Sequence, residues 1–294
     1  MTKPSQDPDI LTLTAPAKIN LALHITGQRD DGYHLLESLV VFGGAADRIQ
    51  FKPSKHLHLS VNGPFAASLR QEPDNLMVRA ARLLATELNC AVAADMTLEK
   101  FLPISAGVGG GSSDAAATLL GLLRLWQRTI NDDKLRSIAL KLGADVPMCL
   151  EGSCLIARGI GDELSFGPRL PKDLGMVLVN PRVPISTPSV FRRLKNRSNP
   201  PMGPMPSAFL SAMALADWLD NQRNDLEMAA IEQAPVIETV LQALEDDGDC
   251  LFARMSGSGA TCFALFASVK HAEYAARRMA FTHPNWWVSH GGVQ

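Results

Sequence analysis

Three groups of residues in this sequence have the types and spacing that chemistry requires. The first is the stretch LPISAGVGGGSSDAA at 102–116, with four glycines and two adjacent serines among fifteen residues. Glycine lets the backbone take positive φ and lets a ligand come close where a Cβ would stand. The alanine- and leucine-rich run that follows reads as a helix, so the loop lies at a helix N-terminus. Unpaired N–H groups and the positive end of the helix dipole there favour an anion, and phosphate is the anion expected. No Lys follows the glycines, so this is not a Walker A box. Ser112 occupies the third glycine position of the dinucleotide fingerprint, which excludes that motif too. The plainer alternative is a tight strand-to-helix turn capped by Ser112. Ser112 or Ser113 can also offer a hydroxyl to Mg²⁺ among phosphates. Asp114 is either a further such group or an acid in the first helical turn.

The second group is a Lys, an Asn and an Asp. Lys18 stands in the apolar strand APAKINLAL, and Asn20 shares its face two residues on. They form either a solvated face or the wall of a polar pocket. Asp145, in LGADVPMCL, is either a helix N-cap with Pro147 behind it or a carboxylate within reach of a substrate hydroxyl. The third group is the pair Tyr33-His34 in DDGYHLLES, which is edge-strand surface or a recognition site. MSGSGATCFALF at 255–266 repeats the Gly/Ser theme and reads as a hairpin with a GSG turn.

The elements that must position these groups follow from pattern. Residues 10–61 read as strands, rich in Val, Ile, Leu and Thr and punctuated by Gly, Asp and Pro. At 74–88, DNLMVRAARLLATEL switches to helical spacing, with Leu76, Ala80, Leu83, Leu84 and Leu88 on one side and Asp74 or Asn75 as cap. The strand MTLEKF leads into the glycine loop. Further helices are expected at 132–142, 207–220, 233–245 and 270–280. NRSNPPMGPMP at 196–206 reads as a linker or flexible loop. Strands and helices mix without a regular βαβα rhythm, which predicts an α+β chain of two domains.

Bulk properties narrow the function classes. With 294 residues, 46% hydrophobic, the chain can bury a large core. A net charge of -2 gives no basic field for nucleic acid and no acidic tail. A small molecule is the partner expected. Five cysteines, with neither a CxxC pair nor zinc spacing, are expected as buried free thiols of a reducing compartment. The start MTKPSQDPDI lacks the pattern of a signal peptide, and no apolar run approaches the ~20 residues of a membrane span. A soluble cytoplasmic protein is the expectation.

Taken together, APAKINLALHITGQRDDGYHLLES, LPISAGVGGGSSDAAA, GADVP and MSGSGATCFALF resemble the GHMP kinase superfamily, over roughly residues 12–268 and most weakly in 195–250. The resemblance implies an N-terminal domain of the ribosomal-protein-S5-like type at 1–165 and a C-terminal ferredoxin-like domain at 166–294. It implies ATP with Mg²⁺ bound mainly through the triphosphate, no separate metal ligands, and a monomer or weak homodimer. The acceptor it implies is the 2-hydroxyl of a methylerythritol linked to cytidine diphosphate. By match of motif, Lys18 and Asp145 would be catalytic and Asn75 would lie near the adenine. Pro103, Ile104, Ser105, Ala106, Gly107 and Val108, then Gly109, Gly110, Gly111, Ser112 and Ser113, would cradle the triphosphate. Tyr33, His34 and Phe191 would hold the cytosine, with Asn20 and Thr187 nearby. Val108 stands where Leu is usual, a loss of one methylene. A homoserine or mevalonate-type kinase of the same superfamily would need no such aromatic residues, and a non-catalytic nucleotide-binding regulator would not need Lys18 and Asp145.

Overall fold

The computed structural model describes residues 10–69, 74–104 and 106–294; Ser105 lies outside them. In chain order the first elements are β1 (Leu11–Gln28), β2 (His34–Lys52), β3 (Leu57–Asn62), α1 (Ala66–Leu69), α2 (Leu76–Glu87), β4 (Ala94–Glu99), α3 (Gly110–Leu125), α4 (Asp132–Leu142) and α5 (Val146–Glu151). Then come β5 (Leu155–Arg158), β6 (Glu163–Phe166), β7 (Gly175–Asn180), α6 (Thr187–Arg192), α7 (Ala212–Leu219), α8 (Glu227–Gln233), α9 (Val236–Glu245), β8 (Phe252–Met255), β9 (Cys262–Phe266), α10 (Val269–Thr282) and β10 (Trp287–Gly292). The architecture is α+β, and the strands among the described residues form two sheets.

The chain divides into two compact units. One holds the chain up to Ala15 with Ala46–Ile104 and Gly110–Glu151; the other holds Pro16–Ala45, Ser105–Gly109 and Gly152–Gln294. In the first unit β4 pairs antiparallel with the end of β2, Arg48 opposite Glu99, and parallel with β3. Asn75 caps α2, its side chain accepting from the Met77 N–H at 2.9 Å. The buried face of α2 is Met77, Ala80, Ala81, Leu84 and Ala85. This is turned from the expected stripe, because Leu76 and Leu83 sit at its border while Met77 and the alanines face inward. α3 is buried from Ser113 to Leu119, which explains why its sequence is nearly all small or apolar.

A buried ion cluster underlies the start of the glycine loop. The Lys100 ammonium donates to Asp47 Oδ2 at 2.6 Å and to Asp114 Oδ2 at 2.5 Å. Asp47 Oδ1 accepts from the N–H groups of Phe101 and Leu102, at 2.6 and 2.9 Å. Burial pulls the Lys100 pKa down, but the two carboxylates more than offset this, so the ammonium stays charged. Burial, aided by Asp47 and opposed by Lys100, pushes the Asp114 carboxyl up to about 7.

In the second unit, the start of β2 pairs antiparallel with β5, and β5 with β6. A separate antiparallel sheet runs β10-β7-β9-β8. Val177, Val179, Ala264 and Phe266 of this sheet share one core with Ile237, Val240 and Leu244 of α9 and Ala272, Ala276 and Met279 of α10. Each large side chain fully buried in this way contributes ~1.5–3 kcal/mol.

The segment at 196–206 is tied down rather than free. Asn199 N–H donates to Ile25 O at 2.9 Å, Met202 N–H to Glu37 Oε2 at 2.7 Å, and Gly203 N–H to Gln222 Oε1 at 3.2 Å. His24 Nε2 accepts from the Arg223 N–H at 2.9 Å, so its proton sits on Nδ1, which faces Pro200 O at 3.1 Å. Burial lowers the His24 pKa, in keeping with a neutral ring. Proline composition suggested a linker, but partners far away in sequence satisfy this backbone. None of the five cysteines forms a disulfide; Cys149 and Cys262 are buried and the others half-buried.

Candidate active site

The glycine loop is shaped by where its carbonyls go. Ala106 O accepts from Thr261 N–H at 3.3 Å, Gly107 O from Ser256 Oγ at 3.4 Å, and Val108 O from Lys18 N–H at 2.8 Å. Three consecutive carbonyls are thus bound to β1 and to the loop between β8 and β9. The N–H groups of Gly107, Val108 and Gly109 donate to no described residue, which suits them to an anion. Gly107 and Gly109 take φ of 74° and 62°. A Cβ on Gly107 would lie 2.8 Å from the carbonyl oxygens of Ser256 and Gly259, and one on Gly109 would lie 3.1 Å from Lys18 Cβ. Gly110 and Gly111 open α3, where the first N–H groups have no partner within the helix.

This contrast yields a prediction. Gly107→Ala combines a disfavoured φ with a backbone clash, so it should cost ~1–3 kcal/mol of stability and raise the KM for ATP. Gly111 meets only Leu76 Cδ1 at 3.6 Å, so Gly111→Ala should melt like the wild type. Thermal unfolding and ATP titration of both variants check this. A Gly107→Ala protein with unchanged melting and ATP affinity would contradict the role given to the loop.

Lys18 lies in a buried polar pocket, not on a solvated face: it is 7% exposed, and Asn20 is 4% exposed. Lys18 Nζ donates to Asn20 Oδ1 at 3.0 Å, and Asn20 Nδ2 donates to Ser38 Oγ at 2.7 Å. The Asn20 N–H donates to Ser256 Oγ at 3.1 Å, so the MSGSGAT segment supports the strand as well as the loop. That segment joins β8 to β9 by residues 256–261, longer than the tight turn expected. Ser258 and Thr187 share a hydrogen bond of 2.7 Å at the start of α6.

Asp145, half-buried, directly precedes α5, and its carbonyl accepts from the Cys149 N–H at 3.2 Å. Pro147 occupies the first turn, so both readings of Asp145 are compatible: the main chain starts the helix and leaves a carboxylate at its head. Ser113 Oγ donates to Cys149 Sγ at 3.4 Å. With its proton given to the sulfur, the hydroxyl oxygen keeps lone pairs with which to ligate a cation. Asp114 is committed to Lys100 instead, which sequence reasoning missed. The one signal was a Lys closing the strand MTLEKF.

In the second unit, the ring beside Phe191 is that of His34, with centroids 5.0 Å apart and planes tilted by 36°. Tyr33 is 62% exposed in the turn between β1 and β2. His34 Nε2 is buried without a hydrogen-bond partner. Burial, then the nearby Arg197 charge, lowers the His34 pKa, so the ring is neutral near pH 7. Asn75 serves first as the cap of α2, its amide nitrogen remaining for another partner. Pro103, Ile104, Gly110, Gly111, Ser112 and Ser113 belong to the first unit with Asn75 and Asp145; the other described residues of the expected site belong to the second.

Residues 75–153 match the GHMP kinases N terminal domain and residues 208–285 the GHMP kinases C terminal domain. The chain is 50% identical over 281 residues to a 4-diphosphocytidyl-2-C-methyl-D-erythritol kinase of Ruegeria pomeroyi, covering 95% of this chain and 98% of the relative. A protein of the same name from Rhizobium meliloti is 50% identical over 287 residues, with 95% and 93% covered. A crystal structure of 4-(cytidine 5'-diphospho)-2C-methyl-D-erythritol kinase aligns with a TM-score of 0.79 at 32% identity, over 96% of this chain and 100% of that one. A homoserine kinase from Cytophaga hutchinsonii shares the fold, with a TM-score of 0.65 at 19% identity over 100% and 97%.

Proposed function

The chain belongs to the GHMP kinase family, and from that premise we infer that it transfers the γ-phosphoryl group of ATP to the 2-hydroxyl of 4-diphosphocytidyl-2-C-methyl-D-erythritol. The products are the 2-phosphate and ADP, in the non-mevalonate route to isoprenoid precursors. The observation that favours this acceptor over those of other GHMP kinases is the His34–Phe191 ring pair with its unsatisfied Nε2. A nucleobase offers both a flat face for the rings and a polar edge for that nitrogen. Thr187 and Phe191 lie one turn apart on α6 and can serve the same ligand. The exposed Tyr33 would close over the base from the turn.

Phosphoryl transfer requires an in-line nucleophile and stabilisation of charge on the phosphoryl oxygens. The loop N–H groups and the head of α3 would meet the second need. Asp145 would orient the acceptor hydroxyl and take its proton late in the reaction. The Lys18 ammonium would balance the charge that develops. Mg²⁺ would be held by phosphate oxygens and the hydroxyls of Ser112 and Ser113, and when bound it neutralises charge on the triphosphate. Asn75, through its free amide nitrogen, would contact the adenine.

The test compares cytidine and uridine forms of the substrate, with phosphorus NMR of the product to identify the acceptor oxygen. Exchanging the 4-amino donor for a carbonyl sets acceptor against acceptor at a buried edge, which costs ~1–3 kcal/mol. The expected kcat/KM for the uridine form is lower by at least ~10-fold. His34→Ala should narrow the gap, while Phe191→Ala should weaken both forms alike. Equal use of the two forms by the wild type would overturn the cytosine site.

A further inference from the structure

Ser38 lies on β2 and is 1% exposed. Its hydroxyl has one proton and stands 2.6 Å from Ala22 O, a carbonyl that can only accept. The proton is therefore committed to Ala22, and toward Asn20 the Ser38 oxygen can only accept. Its neighbour at 2.7 Å must then be the NH₂ end of the Asn20 side chain. This fixes the amide: nitrogen toward Ser38, oxygen toward Lys18 Nζ at 3.0 Å. The opposite flip would set oxygen against oxygen at Ser38 and NH₂ against an ammonium at Lys18. Both clashes would be buried, where unpaired polar groups cost most.

The main chain on either side is fixed separately. Lys18 N–H is held by Val108 O at 2.8 Å and Asn20 N–H by Ser256 Oγ at 3.1 Å. What the backbone leaves undetermined is the direction of the long Lys18 side chain, and the Asn20 carbonyl oxygen supplies a fixed acceptor for it.

We propose that Ser38 is a positioning residue for phosphoryl transfer, setting the Asn20 amide and through it the Lys18 ammonium. The proposal rests on the kinase reading above. A misplacement of ~1 Å at a reacting group can cost ~10²-fold in rate, so Ser38→Ala should lower kcat by ~10- to 100-fold and change the KM for ATP by less than ~2-fold. Asn20→Ala should lower kcat as well. If Ser38 acts through Asn20, adding Ser38→Ala to Asn20→Ala should change kcat by less than ~2-fold further.

The experiment measures kcat per folded, ATP-binding enzyme for the wild type, both single variants and the double variant, with thermal unfolding alongside. A serine that only stabilises the fold would lower the melting temperature in both backgrounds but leave kcat per folded molecule alone. Ser38→Thr, which keeps the hydroxyl, should return kcat toward wild type if it folds; the double variant decides the matter if it does not. A wild-type kcat in Ser38→Ala, or an equal loss in both backgrounds, would overturn the proposal. NMR of the Asn20 side-chain amide, run without substrate, separates this result from failure of the kinase reading. Its protons should exchange faster with water in Ser38→Ala whatever alcohol the wild type phosphorylates, and unchanged exchange counts against Ser38 alone.

Discussion

Replacing Asp145 with Asn should lower kcat by ~10²–10⁴ with only a modest change in either KM. The substitution keeps the shape of the side chain and removes its capacity to accept a proton. Binding depends on shape and on contacts elsewhere, so KM is largely preserved, whereas the transition state loses its base. The fold should tolerate the change, because Asp145 starts α5 through its carbonyl, which accepts from Cys149 N–H at 3.2 Å. Steady-state kinetics of the folded variant provide the measurement. Turnover near that of the wild type would remove Asp145 from the mechanism.

Lys100→Met should be the most damaging single change to stability, costing ~3–5 kcal/mol by leaving two buried carboxylates without their cation. Lys100 is 2% exposed and sits between Asp47 and Asp114, whose side chains are 0% and 5% exposed. Water cannot take the place of the lost charge. The variant can relieve the repulsion only by binding a proton, so its deficit against wild type should shrink as pH falls. In the wild type, Asp114 shifts from a reference of 3.8 to about 7 on folding. The folded state then holds the proton more tightly than the unfolded chain does. This contribution to stability is fully present below about 4 and is lost as pH rises through about 7. Denaturant unfolding of both proteins between pH 5 and pH 8 tests both statements. A Lys100→Met protein as stable as the wild type at pH 8 would refute the account of the cluster.

Local signals made much of this molecule legible. Asn75 ahead of an apolar-periodic run announced α2 and its cap, and the glycine loop announced a strand-to-helix junction at Gly110. What could not be read were partners fixed by tertiary contact. Asp114 looked like an ordinary first-turn acid because Lys100 lies fourteen residues back and Asp47 still further. Lys18 and Asn20 fit a solvated face as well as a pocket, since alternation gives the face and not what covers it. The Pro-rich 196–206 segment misled for a related reason. Its composition describes the segment alone, whereas its order comes from Ile25, Glu37 and Gln222. The pair Tyr33-His34 was equally open, as surface or as recognition site: the His34 ring lies beside Phe191, far along the chain, while Tyr33 is exposed in its turn. Tyr33 stands in the turn and His34 is the first residue of β2, so the two adjacent rings meet different surroundings.

Segments of the second unit that lie far apart in sequence meet in a way that bears on synthesis. Gln294 exchanges backbone hydrogen bonds with Phe42, at 2.7 and 3.1 Å, and β10 is an outer strand of the sheet that holds β7 and β9. Ribosomes release a chain from the N-terminus at ~5–20 residues per second. All residues of the first unit have been made once Glu151 is reached. By contrast Leu23 and Ile25, which share a core with Val177, Ile237 and Phe266, emerge early and wait for those later partners. For about the time needed to make half the protein, this apolar stretch is exposed to whatever binds nascent chains. Slower translation beyond Gly152 lengthens that interval.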